Sequence, residues 1–115
     1  MTNQLVTSVN DDLKMQAIEL SRVIPETMRA YNGLMRAASA DGVLSVKIKE
    51  LMAVAIGIAR LCEGCVAYHV ENARKFGATR AELAEAIAVA IEMGGGPAVV
   101  YGGKALAQFD AIASE

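Results

Sequence analysis

The feature that most constrains the fold is an unbroken apolar segment of nine residues, 51–59, with the sequence LMAVAIGIA. A helix built from this segment is apolar on every face, so it must be covered on all sides by the rest of the domain or by a partner subunit. The segment is far shorter than the ~20 residues that a membrane-spanning helix needs. It therefore predicts a helix with no membrane association that is buried all round, either in the centre of the domain or against a partner subunit.

Apolar periodicity and capping residues predict six helices, and no segment shows the alternation of a strand. Ser45 is expected to cap the helix that contains the apolar segment, and Thr79 with Glu82 forms a capping box for the fifth helix. In order, the predicted helices run from Asn10 to the residue before Pro25, from Pro25 to a stop at Asp41 and Gly42, and over residues 46–61, 62–76, 79–93 and 98–112. Residues 1–9 are expected to form a loose arm.

The composition favours one all-α domain over residues 1–115. A chain of 115 residues can bury one core without disulfides or metals. Apolar residues make up 54% of it but aromatic residues only 4%, so the core is built from Ala, Val, Ile, Leu and Met, which suits close helix packing. A small domain this apolar is expected to cover part of its surface in a homo-oligomer.

The charge pattern and the N-terminal sequence limit the partners and the location of the chain. The net charge is −2 and no run of Lys or Arg exceeds two residues, which argues against binding of nucleic acid. The N-terminal sequence MTNQLV lacks the basic region of a signal peptide, so a cytoplasmic location is expected. In that reducing compartment, two cysteines are more often redox-active or metal-binding than structural.

Both cysteines and the only histidine of the chain fall within eight residues: Cys62, Cys65 and His69. On a helix these positions share one face, and Cys65 and His69 are one turn apart, so thiol and imidazole can touch. Cys62 lies about 10 Å along the axis from His69, which leaves it to pair with Cys65. Both thiols fall in the first helical turn, where the backbone N–H groups favour a thiolate.

Glu50 is the candidate carboxylate partner of His69. The third and fourth helices are joined by a tight turn near residues 60–61, so they should run antiparallel, with Glu50 and His69 at similar distances from the turn. That register would let the carboxylate orient the imidazole. The alternative is that Glu50 lies on the solvated face together with Lys47 and Lys49, and spacing alone does not decide between the two.

Other chemistries fit the cysteines less well. Cys62, Cys65, His69 and Glu50 would also supply four zinc ligands, but structural zinc usually has four N or S ligands and no second Cys/His pair exists. Haem attachment requires a histidine where Val66 stands, and a thioredoxin fold requires a βαβ pattern that is missing. We therefore expect neither a metal nor an organic cofactor.

Taken together, the spacing of Glu50, eleven residues, Cys62-x-x-Cys65, three residues and His69 on an all-helical scaffold resembles the AhpD-like alkylhydroperoxidases of the carboxymuconolactone decarboxylase superfamily. The resemblance covers residues 25–110 and includes the segment ENARKFGAT at 71–79. It implies an AhpD-like helical bundle, and its small members assemble as trimers or hexamers.

The resemblance also implies roles. Cys65 corresponds to the peroxide-attacking cysteine, Cys62 to its disulfide partner and proton donor, and Glu50 and His69 to the proton relay. The implied activity is reduction of alkyl hydroperoxides, with an external dithiol or a lipoyl or thioredoxin-like protein restoring the thiols. One departure is Gly64, which occupies a position where some of these peroxidases carry a second histidine.

Two other functions remain open from the sequence. One is a decarboxylase-type enzyme that uses His69 and Glu50 as acid and base on a lactone or carboxylate, although such enzymes generally lack the cysteine pair. The other is a non-enzymatic, metal-binding or structural oligomer.

Overall fold

The computed structural model describes residues 2–113, with the side chains of residues 11–112. This part of the chain contains six helices and no strand, as the sequence predicts. The helices, in chain order, are α1 (Thr2–Val23), α2 (Pro25–Ser39), α3 (Val46–Ala59), α4 (Glu63–Lys75), α5 (Arg80–Gly94) and α6 (Gly96–Ala113).

The core lies between α3, α4, α5 and α6. Its largest fully buried side chains are Val54 and Ile58 of α3, Val70 of α4 and Leu83 of α5. Burial of each side chain of this size contributes about 1.5–3 kcal/mol, so α3, α4 and α5 carry the most strongly stabilising single side chains of the core. The active-site candidates of α3 and α4 are therefore carried on the best-packed part of the molecule.

The N-terminal segment differs from the prediction. The structure continues α1 back to Thr2, so residues 2–9 are helical rather than a loose arm and Asn10 lies inside the helix instead of capping it. The stretch from Thr2 to Val23 contains no Gly or Pro, and extending an existing helix requires only that each added residue form one more hydrogen bond.

The predicted helix starts are confirmed at three places. Pro25 lies in the first turn of α2, Ser45 accepts a hydrogen bond from the backbone N–H of Ile48, and Thr79 and Glu82 form the capping box of α5. The Gly-rich break between α5 and α6 is one residue long, because Gly95 has a φ of 72° and α6 begins at once, two residues before the predicted start.

The interface between α5 and α6 depends on a missing side chain. A Cβ built on Gly102 of α6 would lie 2.6 Å from Cγ2 of Ile87, whereas a Cβ on the neighbouring Gly103 would have nothing within 4 Å. Gly102 therefore sets how closely α6 approaches α5, and Gly103 does not.

Helix α3 is not covered all round by its own chain. Val54, Gly57 and Ile58 are buried, but Met52 is 48% exposed and Ile56 57% exposed. Helix α2 has an apolar face and no buried residue at all, and its Leu34 is 64% exposed. The rest of the domain therefore covers the apolar segment only in part, which leaves a face for the second predicted covering, a partner subunit.

No helix in the described part of the chain is long and apolar enough to cross a membrane.

Candidate active site

The site is built on the turn that joins α3 to α4. The backbone N–H of Leu61 donates to the carbonyl of Ile58 at 3.1 Å, and that of Cys62 donates to the carbonyl of Gly57 at 3.0 Å. This pair of bonds is a Schellman motif, which satisfies the last carbonyl groups of α3. The motif fixes the backbone of Cys62 directly against the end of α3.

Leu61 occupies the left-handed position of that motif, with a φ of 57°. The same motif ends α4, where Gly77 stands at the corresponding position with a φ of 93°. An L-residue in this conformation costs about 1–2 kcal/mol relative to glycine, so the turn before the cysteines is held in place by its surroundings. Leu61 nevertheless leaves 46% of its surface exposed.

Cys62 also begins α4. Its Sγ accepts a hydrogen bond from the backbone N–H of Cys65 at 3.2 Å, which makes Cys62 the N-cap of the helix. The two cysteines form a disulfide whose Cα atoms are 5.3 Å apart. Cys65 is exposed, and Cys62 is only half-buried and lies against the end of α3.

Glu50 and His69 meet across the helical pair, as the predicted register requires. Nδ1 of His69 lies 2.6 Å from Oε2 of Glu50, whose residue is only 4% exposed. An ionised carboxylate can only accept, so Nδ1 carries the hydrogen and Nε2 is left as the nitrogen that can exchange a proton. In the described part of the chain, Nε2 takes part in no side-chain hydrogen bond.

The alternative position of Glu50, on the solvated face with the two lysines, is wrong. Nζ of Lys47 lies 2.9 Å from Oε2 of Glu82, and Lys49 donates to the carbonyl of Ala40. Both lysines therefore have partners on other elements, while Glu50 turns inward to His69.

A cavity of about 360 Å³ opens onto this pair. Its lining includes Glu50, His69 and Tyr68, and the Tyr68 ring lies edge-on to the imidazole with centroids 5.0 Å apart. The rest of the lining, which we call the α2 wall, comes from α2 through residues that include Tyr31, Leu34, Met35 and Arg36. Neither cysteine is among the described residues that line this cavity.

Sequence reasoning missed Tyr68 and the contribution of α2. The apolar spacing of Met28, Tyr31, Leu34 and Met35 does indicate a helix face, but periodicity cannot say which distant element that face meets. The signal that could have found Tyr68 is its position in the chain, directly before the candidate residue His69.

Two contacts hold α4 in position around the site. A Cβ on Gly57 would lie 3.3 Å from Cβ of Cys65 and 3.3 Å from Cγ2 of Val66, so α4 crosses α3 at a glycine. On the other side, Nε2 of the buried Gln108 donates to the carbonyl of Ala67 at 2.9 Å. The segment between Cys65 and His69 is thus held by α3 and α6.

Metal binding finds no geometric support in the part of the chain that is described. No group of three or more His, Cys, Asp or Glu side chains there is placed to hold an ion. Both sulfurs are joined in the disulfide, and a metal ligand would have to be a free thiolate.

Comparison with known proteins places this chain in a family. The model of the carboxymuconolactone decarboxylase family matches residues 25–108, and the chain belongs to that family. An uncharacterized protein of Cupriavidus necator is 44% identical over 112 residues, which cover 97% of this chain and 98% of the relative. A protein of the cox locus of Paracoccus denitrificans is 40% identical over 94 residues, 82% of this chain and 85% of that protein.

Solved structures agree with the family assignment. The crystal structure of a carboxymuconolactone decarboxylase family protein from Legionella pneumophila, without ligand, superposes with a TM-score of 0.89 at 37% identity, covering 91% of this chain and 94% of that chain. A Thermotoga maritima member superposes with a TM-score of 0.72 over 86% of this chain and 91% of its own, at 24% identity, which is a likeness of fold alone.

Proposed function

We propose that this protein is a thiol-dependent peroxidase and disulfide oxidoreductase that reduces alkyl hydroperoxides. The observation that carries the proposal is the Cys62–Cys65 disulfide one helical turn before His69, whose Nδ1 is held by the buried carboxylate of Glu50. A dithiol, a base and a group that orients the base are the parts that a nucleophilic thiol requires.

In the first step, His69 takes the proton of the Cys65 thiol through Nε2. The Cys65 thiolate attacks one peroxide oxygen, the O–O bond breaks, and the leaving alkoxide takes the proton from His69 to become the alcohol. The sulfur is thereby oxidised to a sulfenic acid. Cys62 then attacks that sulfur, hydroxide leaves as water after protonation, and the Cys62–Cys65 disulfide forms.

The cavity supports an organic rather than an inorganic peroxide. Its volume of about 360 Å³ falls in the range of small-ligand pockets, and its α2 wall carries Leu34, Met35 and Tyr31. These apolar and aromatic side chains would hold the alkyl part of the substrate beside His69.

We propose in addition that the chain works as a homo-oligomer. The exposed apolar side chains of α2 and α3, such as Leu34 and Met52, form the surface that a second copy would cover. A cytoplasmic location and an external dithiol or lipoyl or thioredoxin-like reductant remain predictions from the sequence.

The direct test is consumption of cumene hydroperoxide with dihydrolipoamide as reductant. The parent protein is expected to turn over, and Cys65→Ser is expected to be inactive. Cys62→Ser should complete one turnover and then hold a sulfenic acid that dimedone labels. Turnover by Cys65→Ser at the parent rate would rule the peroxidase out.

A decarboxylase-type enzyme is the second candidate, and one observation favours it. Glu50 and His69 line the cavity, but neither cysteine does so in the described part of the chain. An acid–base reaction on a lactone or carboxylate would need only that pair. Activity on such a substrate that survives complete alkylation of the thiols would support this candidate and would count against the peroxidase.

A further inference from the structure

We propose that the external reductant attacks the sulfur of Cys65 and that Cys62 is the leaving thiolate. This inference rests on the proposed disulfide cycle and assigns the two sulfurs their roles in its reductive half. The CxxC motif alone does not say which of its two sulfurs the reductant attacks. The surroundings of the two cysteines, however, differ in three ways.

The first difference is access, judged by the exposure of each whole residue. Cys65 is exposed, as is Tyr68 one turn later on α4, although the Cβ of Cys65 lies against Gly57. Cys62 is half-buried at the junction of α3 and α4. Thiol–disulfide exchange requires the attacking sulfur to approach in line with the S–S bond, so it depends on access to the sulfur attacked. Access therefore favours attack at Cys65.

The second difference is the stability of the thiolate that leaves. Sγ of Cys62 accepts the backbone N–H of Cys65 at 3.2 Å at the N-terminus of α4, where the helix dipole favours negative charge. No backbone N–H in the described part of the chain is paired with Sγ of Cys65. Because the more stable thiolate leaves faster, this bond favours Cys62 as the leaving group.

The third difference is the kind of contact that holds each residue: Cys65 packs against Gly57 through its Cβ, whereas Cys62 is held through its backbone N–H and through its sulfur. The N–H of Cys62 donates to Gly57 within the Schellman motif, and its sulfur caps α4, so Cys62 is bonded on both sides of its Cα. Opening the disulfide leaves both of these bonds in place. The leaving sulfur can thus stay where it is while Cys65 carries the adduct.

The exchange balances as follows. One thiolate of an external dithiol attacks Sγ of Cys65, a new S–S bond forms, and the electron pair of the old bond goes to Sγ of Cys62. The second thiolate of the dithiol then attacks its own partner sulfur, closes a disulfide in the reductant and releases the Cys65 thiolate. His69 returns a proton to Cys65, and Cys62 takes its proton from solvent.

The test uses a monothiol, which stops the reaction at the mixed disulfide. The oxidised protein is mixed with 2-mercaptoethanol, quenched in acid at short times and labelled with N-ethylmaleimide under acidic conditions. A protease that cuts after glutamate separates the two cysteines, because Glu63 lies between them. Mass spectrometry then shows which cysteine carries mercaptoethanol and which carries maleimide.

We expect at least a tenfold excess of mercaptoethanol on Cys65 at the earliest times, with maleimide on Cys62. Equal amounts, an excess on Cys62, or reduction of the disulfide with no adduct on Cys65 would overturn the assignment. The experiment contains no peroxide, so its outcome is separate from that of the proposed function: an adduct on Cys65 stands even if hydroperoxides are not consumed.

A second measurement compares the lone thiols. In Cys65→Ser the remaining Cys62 keeps its place at the helix N-terminus, and in Cys62→Ser the remaining Cys65 does not gain it. Thiolate absorbance against pH is expected to give the lone Cys62 a pKa below the ~8.5 of a free thiol. A pKa of Cys62 at or above that value would contradict the leaving-group argument.

Discussion

Gly57 of α3 lies directly beneath Cys65 of α4, so closely that a methyl group on Gly57 would stand 3.3 Å from Cβ of Cys65. The carbonyl of the same glycine accepts the N–H of Cys62. One residue without a side chain therefore contacts both cysteines, and the position of the redox pair depends on it.

Gly57→Ala is expected to disturb the cysteine pair more than the fold. Helix propensity would favour alanine by up to about 1 kcal/mol, but the new methyl group must displace Cys65 or the buried Val66. We expect slower reduction of the disulfide by dithiothreitol and lower peroxide turnover, with the helical content unchanged by circular dichroism. Gly103→Ala, where the methyl group meets nothing, is the control; equal rates for the two variants would contradict this role.

Glu50→Gln is expected to lower peroxide turnover by about 10²–10⁴-fold, the usual contribution of general acid–base catalysis. The amide keeps the size of the side chain but can no longer hold Nδ1–H of His69 with a full charge. The measurement is kcat with cumene hydroperoxide, with Glu85→Gln on the exposed face of α5 as control. Loss of less than threefold would remove Glu50 from the relay.

The lowered pKa of Glu82, a residue of the α5 capping box, leads to a predicted pH dependence of stability. The hydrogen bond from Lys47, followed by that from the backbone of Thr79, holds the pKa of Glu82 below its ordinary value of 4.5. A carboxyl group with a lowered pKa in the folded state stabilises the protein above the pKa of its unfolded state, and this stabilisation is lost as the pH falls through the folded pKa.

Glu82→Gln should therefore flatten the acid side of the stability profile. Urea midpoints of the parent are expected to fall between pH 7 and about pH 3 more steeply than those of the variant. Glu85→Gln, which removes an exposed carboxylate of the same helix, should follow the parent. A variant profile parallel to that of the parent would contradict the prediction.

The glycine pair in α6 allows a matched comparison. Gly102→Ala is expected to lower the free energy of unfolding by about 1–3 kcal/mol, because its methyl group would overlap Ile87. Gly103→Ala is expected to raise it by up to about 1 kcal/mol, since only helix propensity changes there. Chemical denaturation of both variants measures the difference, and the opposite ranking would show that α6 packs otherwise.

Assembly is tested by placing charges on the exposed apolar surface. Met52→Asp combined with Leu34→Asp should lower the mass in solution toward that of one chain, 12.1 kDa, because a subunit interface would have to bury unpaired carboxylates. Light scattering after size-exclusion chromatography gives the mass. A parent that is already monomeric, or a variant of unchanged mass, would refute assembly through this surface.

The register that makes contact between Glu50 and His69 possible was predictable, because both residues lie at similar distances from the same tight turn in antiparallel helices. Spacing left open whether Glu50 faces the solvent instead, and only the folded chain, with its carboxylate buried against Nδ1 of His69, decides between the two. The Ser45 cap and the capping box at Thr79 were predictable because each is a local bond between residues three apart. The all-helical fold follows from the same kind of local evidence.

What escaped prediction depends on contacts between distant elements or on strain. Leucine is disfavoured at a positive φ, so nothing in the sequence suggested that Leu61 would complete a Schellman motif. The α2 wall of the cavity depends on which part of the molecule the apolar face of α2 meets, and the periodicity of α2 does not specify that. The early start of α1 was not predictable, because residues 2–9 are mostly polar and show no apolar periodicity.

Because Cys62 both completes the hydrogen bonds of α3 and caps α4, the connection between these helices has no residue that could absorb a change in length. Insertion of one residue between Leu61 and Cys62 would rotate every later residue of α4 by about 100° about the helix axis. His69 would then face away from Glu50. Otherwise the insertion would disrupt either the Schellman motif of α3 or the N-cap of α4. The interval of nineteen residues between them is thus fixed as a length, and homologous chains that keep this relay should differ there by substitution only, never by insertion or deletion.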